Sequence, residues 1–209
     1  MPQPMPRPIP QIDAVVFDIG NVLLEWNPQR FYDRRIGPDR RAALFAAVDL
    51  DGMNLEVDRG APFAASVRAL AAQHPDWAEE IALWETGWLE MASPAIPGSV
   101  ELLHRLRAKG VRCLALSNFG IDTFRIAQRA YPFLDSFDQR FISGHLGLLK
   151  PDPAIYAHVE RESGIAPEAL FFTDDRADNI AAAAERGWQT HLFEGPERLK
   201  SRLEQISLI

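Results

Sequence analysis

The hydrophobic positions of this chain fall into two alternating rhythms. Short runs rich in apolar, β-branched and aromatic residues occupy positions 14–17, 111–116, 137–142, 170–173 and 189–193. Each is short enough for a strand, and the first, Ala14-Val15-Val16-Phe17, is apolar throughout, as expected for a strand covered on both faces. Between these runs the apolar residues recur at three- and four-residue intervals. That spacing predicts helices over 99–109, 122–129, 153–163, 178–186 and 196–206. Gly110 and Gly187 stop two of them. Strands alternating with helices predict an α/β fold, a Rossmann-like parallel sheet covered by helices.

One block breaks the alternation. Residues 27–92 contain no strand-like run and carry helical patterns at 30–35, 39–48, 61–73 and 76–91, punctuated by Pro38, Gly52, Gly60 and Pro75. The block is therefore expected to be a helical insert, with the α/β core built from 12–26 and 93–209. Residues 1–11, in which proline alternates with other residues, are expected to form a flexible, extended tail. Trp77, Trp84 and Trp88 recur at helical intervals and are expected in the core of the insert.

Three strands end in polar residues: the first in Asp18, the second in Ser117-Asn118, and the fourth in Asp174-Asp175. In a parallel sheet all strand C-termini share one edge, so these groups can converge, and ligands of open α/β sheets bind at that edge. Taken alone, each has an ordinary explanation as a turn or capping residue. Lys150, before a Pro-Asp-Pro helix start, would alone pass for a surface lysine.

Composition narrows the function. The chain has 209 residues with 47% hydrophobic and 24% charged, ordinary values for a globular protein. A net charge of -7 disfavours nucleic acid and anionic membranes as partners, so an anionic substrate would need a local cation to hold it. Cys113 is the single cysteine and excludes a disulfide framework. The absence of a secretory h-region or membrane-length apolar stretch points to a cytoplasmic protein. His74, His104, His158 and His191 lack metal-ligand spacing, and His145 is expected in a loop.

The run Phe17-Asp18-Ile19-Gly20-Asn21-Val22, then Ser117-Asn118, Lys150-Pro151-Asp152-Pro153 and Phe172-Thr173-Asp174-Asp175 with Asp178 and Asn179, resembles the haloacid dehalogenase (HAD) superfamily. The glycine-asparagine turn and the Lys-Pro-Asp-Pro run also resemble its α-D-glucose-1-phosphate phosphatase branch. The resemblance implies a HAD core in which the 27–92 insert is a C1 cap. It implies a small phosphorylated metabolite, such as a sugar 1-phosphate, as substrate, on a monomer or dimer.

By the same resemblance Asp18 is the nucleophile, and Asp18, Asp174 and the Gly20 carbonyl hold Mg2+. Asp175 would ligate directly or through water, or orient Lys150. Ser117, Asn118 and Lys150 would hold the phosphoryl oxygens. Asp178 would either assist the metal from behind or complement a helix dipole. Phe119 is a further candidate for the pocket wall.

One position departs from the family pattern. Phosphatases of the family usually carry a second aspartate two residues after the nucleophile, as general acid and base. Here that residue is Gly20. The expected consequence is a preference for leaving groups that depart readily, among them sugar 1-phosphates and aryl or acyl phosphates. Dehalogenation of 2-haloacids, or a non-catalytic binding role, are the alternatives. The polar segment 49–60 of the insert, read as an inter-helix loop, contains Asn54, Glu56 and Asp58, which could bind sugar hydroxyls or supply the missing proton.

Overall fold

A computed structural model describes residues 11–209. The expected tail lies largely outside the described residues.

Five strands, β1 (Ala14–Phe17), β2 (Arg112–Ser117), β3 (Gln139–Ile142), β4 (Leu170–Asp174) and β5 (Gln189–Leu192), form one parallel sheet in the order β3-β2-β1-β4-β5. β1 sits at the centre, with Phe17 level with Ala115 on one side and Thr173 on the other. This register brings the ends of β1, β2 and β4 to the same height.

Among the described residues twelve α-helices accompany the sheet. α1 (Pro28–Ile36), α2 (Pro38–Ala47), α3 (Leu50–Asp58), α4 (Phe63–Gln73), α5 (Ala78–Thr86) and α6 (Trp88–Met91) all lie between β1 and β2 in the chain. α7 (Pro97–Ala108) leads into β2, and α8 (Ile121–Ala130), α9 (Ser143–Leu146), α10 (Pro153–Ser163), α11 (Ala177–Glu185) and α12 (Pro196–Gln205) follow. No helix among the described residues is long and apolar enough to cross a membrane.

The alternation of β1 explains the two layers. Val15 and Phe17 face a cluster that includes Leu103 of α7, Phe124 of α8 and Leu199 of α12. Ala14 and Val16 face the opposite cluster, with Ile155 and Tyr156 of α10 and Ala183 of α11. The first cluster continues without a break into the inserted helices through Tyr32, Trp84 and Trp88. Trp84 and Trp88 are buried as expected, whereas Trp77 is only partly buried and carries the Arg40 guanidinium 4.4 Å from its ring centre.

Three expectations are corrected. Segment 49–60 is not a loop: Leu50–Asp58 is helical, because Leu50, Met53 and Val57 repeat at three and four residues and pack inward. Asp49 caps it by accepting the Gly52 N–H at 2.8 Å, so the polar residues that suggested a loop are the helix's own start signal. The single helix expected over 76–91 is a turn and two helices, parted at Gly87 against the Phe31 ring. His145 lies on the short helix α9 rather than in a loop.

Candidate active site at the carboxyl edge of the sheet

The chain ends of β1, β2 and β4 bring together the groups singled out in the sequence. Asp18 follows β1 directly, Ser117 closes β2, and Asp174 closes β4. All three are buried, as is Lys150, which reaches in from the loop before α10. Such burial of charge is tolerated only where each group is paired. The Lys150 ammonium lies 2.9 Å from Asp18 Oδ1 and 2.6 Å from Asp174 Oδ2.

Asp18 is held asymmetrically. Its Oδ1 accepts the Ile19 N–H at 2.7 Å, the Ser117 hydroxyl at 2.7 Å and the Lys150 ammonium at 2.9 Å. Every side-chain bond described for this carboxylate falls on that oxygen, which leaves Oδ2 to the cavity. Burial pushes the Asp18 carboxyl up to about 7, with Lys150 opposing and Asp174 adding to the rise. Burial alone would lower the Lys150 ammonium, but Asp18 and Asp174 outweigh it and raise it, so the lysine stays charged.

Asp174 is held from behind. Its Oδ1 accepts the Arg176 N–H at 2.8 Å, and Asn179 Nδ2 reaches both oxygens at 3.0 Å. Asn179 sits on the first turn of α11, within reach of the end of β4. Asp178, its neighbour, pairs with Arg176 at 2.6 Å on the surface and accepts the Asn179 N–H at 3.0 Å in the first turn of α11. Asn118 lines the cavity as well, and its side chain bonds both the N–H and the carbonyl of Lys150.

Asp175 stands at the rim, where burial raises its carboxyl and the Asn21 amide, donating at 3.1 Å, opposes the rise. Asn21 adopts φ 53°, in the left-handed region that asparagine tolerates, and its Oδ1 accepts the Trp26 N–H at 3.0 Å. One oxygen from each of Asp18, Asp174 and Asp175 lies within 4.8 Å of the other two.

Above these groups opens a cavity of about 690 Å3 lined at its floor by Asp18, Gly20, Ser117, Lys150 and Asp175. Trp26, Leu55, Trp88, Phe119 and Leu148 provide apolar wall, and Asn54 and Asp58 reach it from α3. Trp26, Leu148 and Leu149 also line it, although a lone aromatic or a leucine pair after a strand or turn has no distinctive sequence pattern.

A doubly wound parallel sheet with an acidic centre at its carboxyl edge, roofed by helices inserted after the first strand, defines an α/β protein built around a carboxylate cluster. The chain belongs to the haloacid dehalogenase-like hydrolases, whose family profile matches residues 12–187, and it is thus a hydrolase of that class.

Among curated proteins it is 29% identical over 96 residues to a drimenol cyclase of Aspergillus calidoustus, covering 46% of this chain and 18% of that protein. It is 30% identical over 87 residues to a sesquiterpene phosphatase of Aspergillus oryzae, covering 42% of this chain and 44% of that one. The matches thus span less than half the length of either relative. A HAD-family enzyme of Bacteroides thetaiotaomicron, solved with magnesium and inorganic phosphate, superposes with TM-score 0.72 at 22% identity, covering 88% of this chain and 95% of that one.

Proposed function

We propose that the protein is a Mg2+-dependent phosphomonoester hydrolase working through an aspartyl phosphate on Asp18. The observation that carries this reading is the meeting of the Asp18, Asp174 and Asp175 carboxylates within 4.8 Å around a single buried lysine. One ammonium cannot offset three carboxylates, and a hard divalent cation with oxygen ligands suits this donor set. Asp18, Asp174 and Asp175 would hold it, with the Gly20 carbonyl as a further donor. When bound, the cation lowers the repulsion between anionic nucleophile and anionic substrate.

The chain's own groups account for the rest. Lys150, Ser117 and the Ile19 N–H hold Oδ1, so the unoccupied Oδ2 is the oxygen presented to phosphorus. Its attack forms an Oδ2–P bond as the ester P–O bond breaks, and water then cleaves the acyl phosphate. The Lys150 ammonium beside Asp18 offsets charge developing on the phosphoryl oxygens. Residues 27–92 serve as the cap that closes the cavity over the α/β core.

The substrate is a small phosphorylated metabolite. A sugar 1-phosphate remains one candidate, by resemblance to the α-D-glucose-1-phosphate phosphatase branch. The Trp26, Trp88 and Phe119 rings in the wall favour a second, a phosphomonoester with an apolar or aromatic body, and the sesquiterpene phosphatase relative supports it.

Purified protein assayed with sugar 1-phosphates, prenyl and aryl monophosphates and 2-chloropropionate, each with Mg2+ or EDTA, tests the reading. Mg2+-dependent phosphate release is expected. Chloride release without metal would replace it with dehalogenation, and no turnover at all would leave a binding protein.

A further inference from the structure

The sequence lacks a carboxyl group two residues after the nucleophile, yet the cavity is not without other acids. Glu25, Asp58 and Asp152 line it besides Asp18 and Asp175. Glu25 is paired with Arg30, and Asp152 caps α10 by accepting the Ala154 N–H at 2.8 Å. Asp175 is bonded to Asn21 and lies in the carboxylate cluster. Among the described residues Asp58 has no cationic partner. It ends α3, partly buried, and its carboxylate accepts the Asn54 amide on Oδ2 at 3.0 Å and the Gly120 backbone N–H. Asn54 in turn accepts the Trp84 indole N–H at 3.4 Å, which fixes which end of the amide faces Asp58.

The other carboxylates of this segment are committed elsewhere. Asp49 caps α3, Asp51 is exposed, and Glu56 pairs with Arg59 on the surface.

The backbone that carries Asp58 is locked to the core. Its carbonyl accepts the Ser143 hydroxyl at 2.6 Å, and that same hydroxyl accepts the Phe119 N–H at 2.8 Å. Phe119 directly follows the Ser117-Asn118 end of β2. Val57 packs so close to Gly120 that a Cβ there would stand 2.6 Å from it. Two residues on, Gly60 lies against the Gly144 carbonyl with φ 117°. A carboxyl on so rigid a seam keeps its place relative to Asp18.

We propose that Asp58, reaching the cavity from the inserted helices, protonates the leaving oxygen in the first step and accepts a proton from water in the second. The inference rests on the phosphatase reading of the site. In the first step Asp18 Oδ2 bonds to phosphorus, the ester P–O bond breaks, and the Asp58 proton passes to the departing oxygen, releasing an alcohol. In the second, water attacks phosphorus, its proton passes to the Asp58 carboxylate, and the Oδ2–P bond breaks to free phosphate and regenerate both groups.

The environment suits the task. Burial pushes the Asp58 carboxyl up to about 7, the Gly120 N–H opposes the rise, and the Asp18 charge adds to it. The neighbouring cations are engaged elsewhere, Arg59 with Glu56 and Lys150 between Asp18 and Asp174. A general acid with a value near neutrality exists in both required forms at working pH. Gly20 adds an internal control, because a Cβ built there meets nothing within 4 Å.

The test is a leaving-group series on the Mg2+-loaded protein, with alkyl and substituted aryl phosphates assayed across pH 5–9. The native enzyme should show a shallow dependence on leaving-group acidity. Asp58→Asn should lose on the order of 10²–10³-fold with alkyl phosphates, far less with p-nitrophenyl phosphate in single-turnover transfer, and the basic limb of its pH profile should vanish. Adding Gly20→Asp to Asp58→Asn should restore part of the alkyl activity. Native thermal melting of the variant excludes misfolding as the cause. A folded Asp58→Asn with native leaving-group dependence would overturn the role of Asp58 while leaving the phosphatase standing. Absence of phosphate release from the native protein would overturn both.

Discussion

Asn118 closes a two-way clasp on Lys150: its amide carbonyl accepts the Lys150 N–H at 2.8 Å, and its amide N–H donates to the Lys150 carbonyl at 2.9 Å. The end of β2 thereby fixes the loop that delivers the ammonium between Asp18 and Asp174. Three strand ends and one distant loop are thus tied into a single unit.

Removing that ammonium should change metal-linked stability as well as rate. Lys150→Ala leaves the buried Asp18 and Asp174 carboxylates facing one another without a cation, at a cost of roughly 3–5 kcal/mol. Mg2+ should recover much of the loss. The rise in Tm on adding Mg2+ is expected to be larger in Lys150→Ala than in the native protein, while activity falls. Equal Mg2+-induced shifts, measured by scanning calorimetry, would mean the cation does not share this charge site.

Asn179 offers a test of the carboxylate it supports. With Asn179→Ala, Asp174 loses the amide that spans both its oxygens and gains freedom to turn. Groups that orient a ligand in this way typically contribute about 10–100-fold in metal affinity. Mg2+ titration by calorimetry should show a loss of that size, with Asp174→Ala weaker still. Asp178→Ala, by contrast, removes the surface pair with Arg176 and the acceptor of the Asn179 N–H but no bond to Asp174, and should leave Mg2+ affinity nearly unchanged.

These supporting contacts mark the limit of what the sequence discloses. The strands were legible because β1 is apolar throughout and β4 over Leu170–Phe172, and burial on both faces demands that. The polar strand ends were legible because a charge directly after an apolar strand has few other places to go. α3 was not, since Asp49, Gly52 and Asn54 read as a turn until the inward packing of Leu50, Met53 and Val57 is seen. Nor could periodicity show that Asp58 faces the cavity whereas Glu56 pairs with Arg59 at the surface. That difference arises from the tertiary seam with Gly120 and Ser143, residues more than sixty positions away.

The raised carboxyl of Asp58 makes stability depend on pH with a definite sign. Its ordinary value is 3.8 and the folded value about 7, so between these the folded state binds more protons than the unfolded one. Stability from this group is therefore greatest below about pH 4 and falls as pH rises through 7, by up to roughly 4 kcal/mol. Asp58→Asn cannot titrate there. In EDTA, its loss of Tm between pH 5 and pH 8 should be smaller than that of the native protein. Parallel pH curves would show that Asp58 is charged in the folded state throughout.

The seam itself can be loosened at Gly60. This residue holds φ 117°, where a side chain is strained, and an added Cβ would stand 2.8 Å from the Gly144 carbonyl oxygen, a contact backbone cannot easily relieve. Gly60→Ala must therefore push the end of α3 away from α9 and stretch the Ser143 bond to the Asp58 carbonyl. A destabilisation of about 1–3 kcal/mol is expected. If Asp58 depends on this clamp for its position, kcat with alkyl phosphates should fall at least tenfold, while Mg2+ affinity, set at the ends of β1 and β4, stays native. Loss of Mg2+ affinity in the same variant would show that displacement spreads into the carboxylate cluster. Native kcat despite lowered stability would show that the carboxyl reaches its place without the seam.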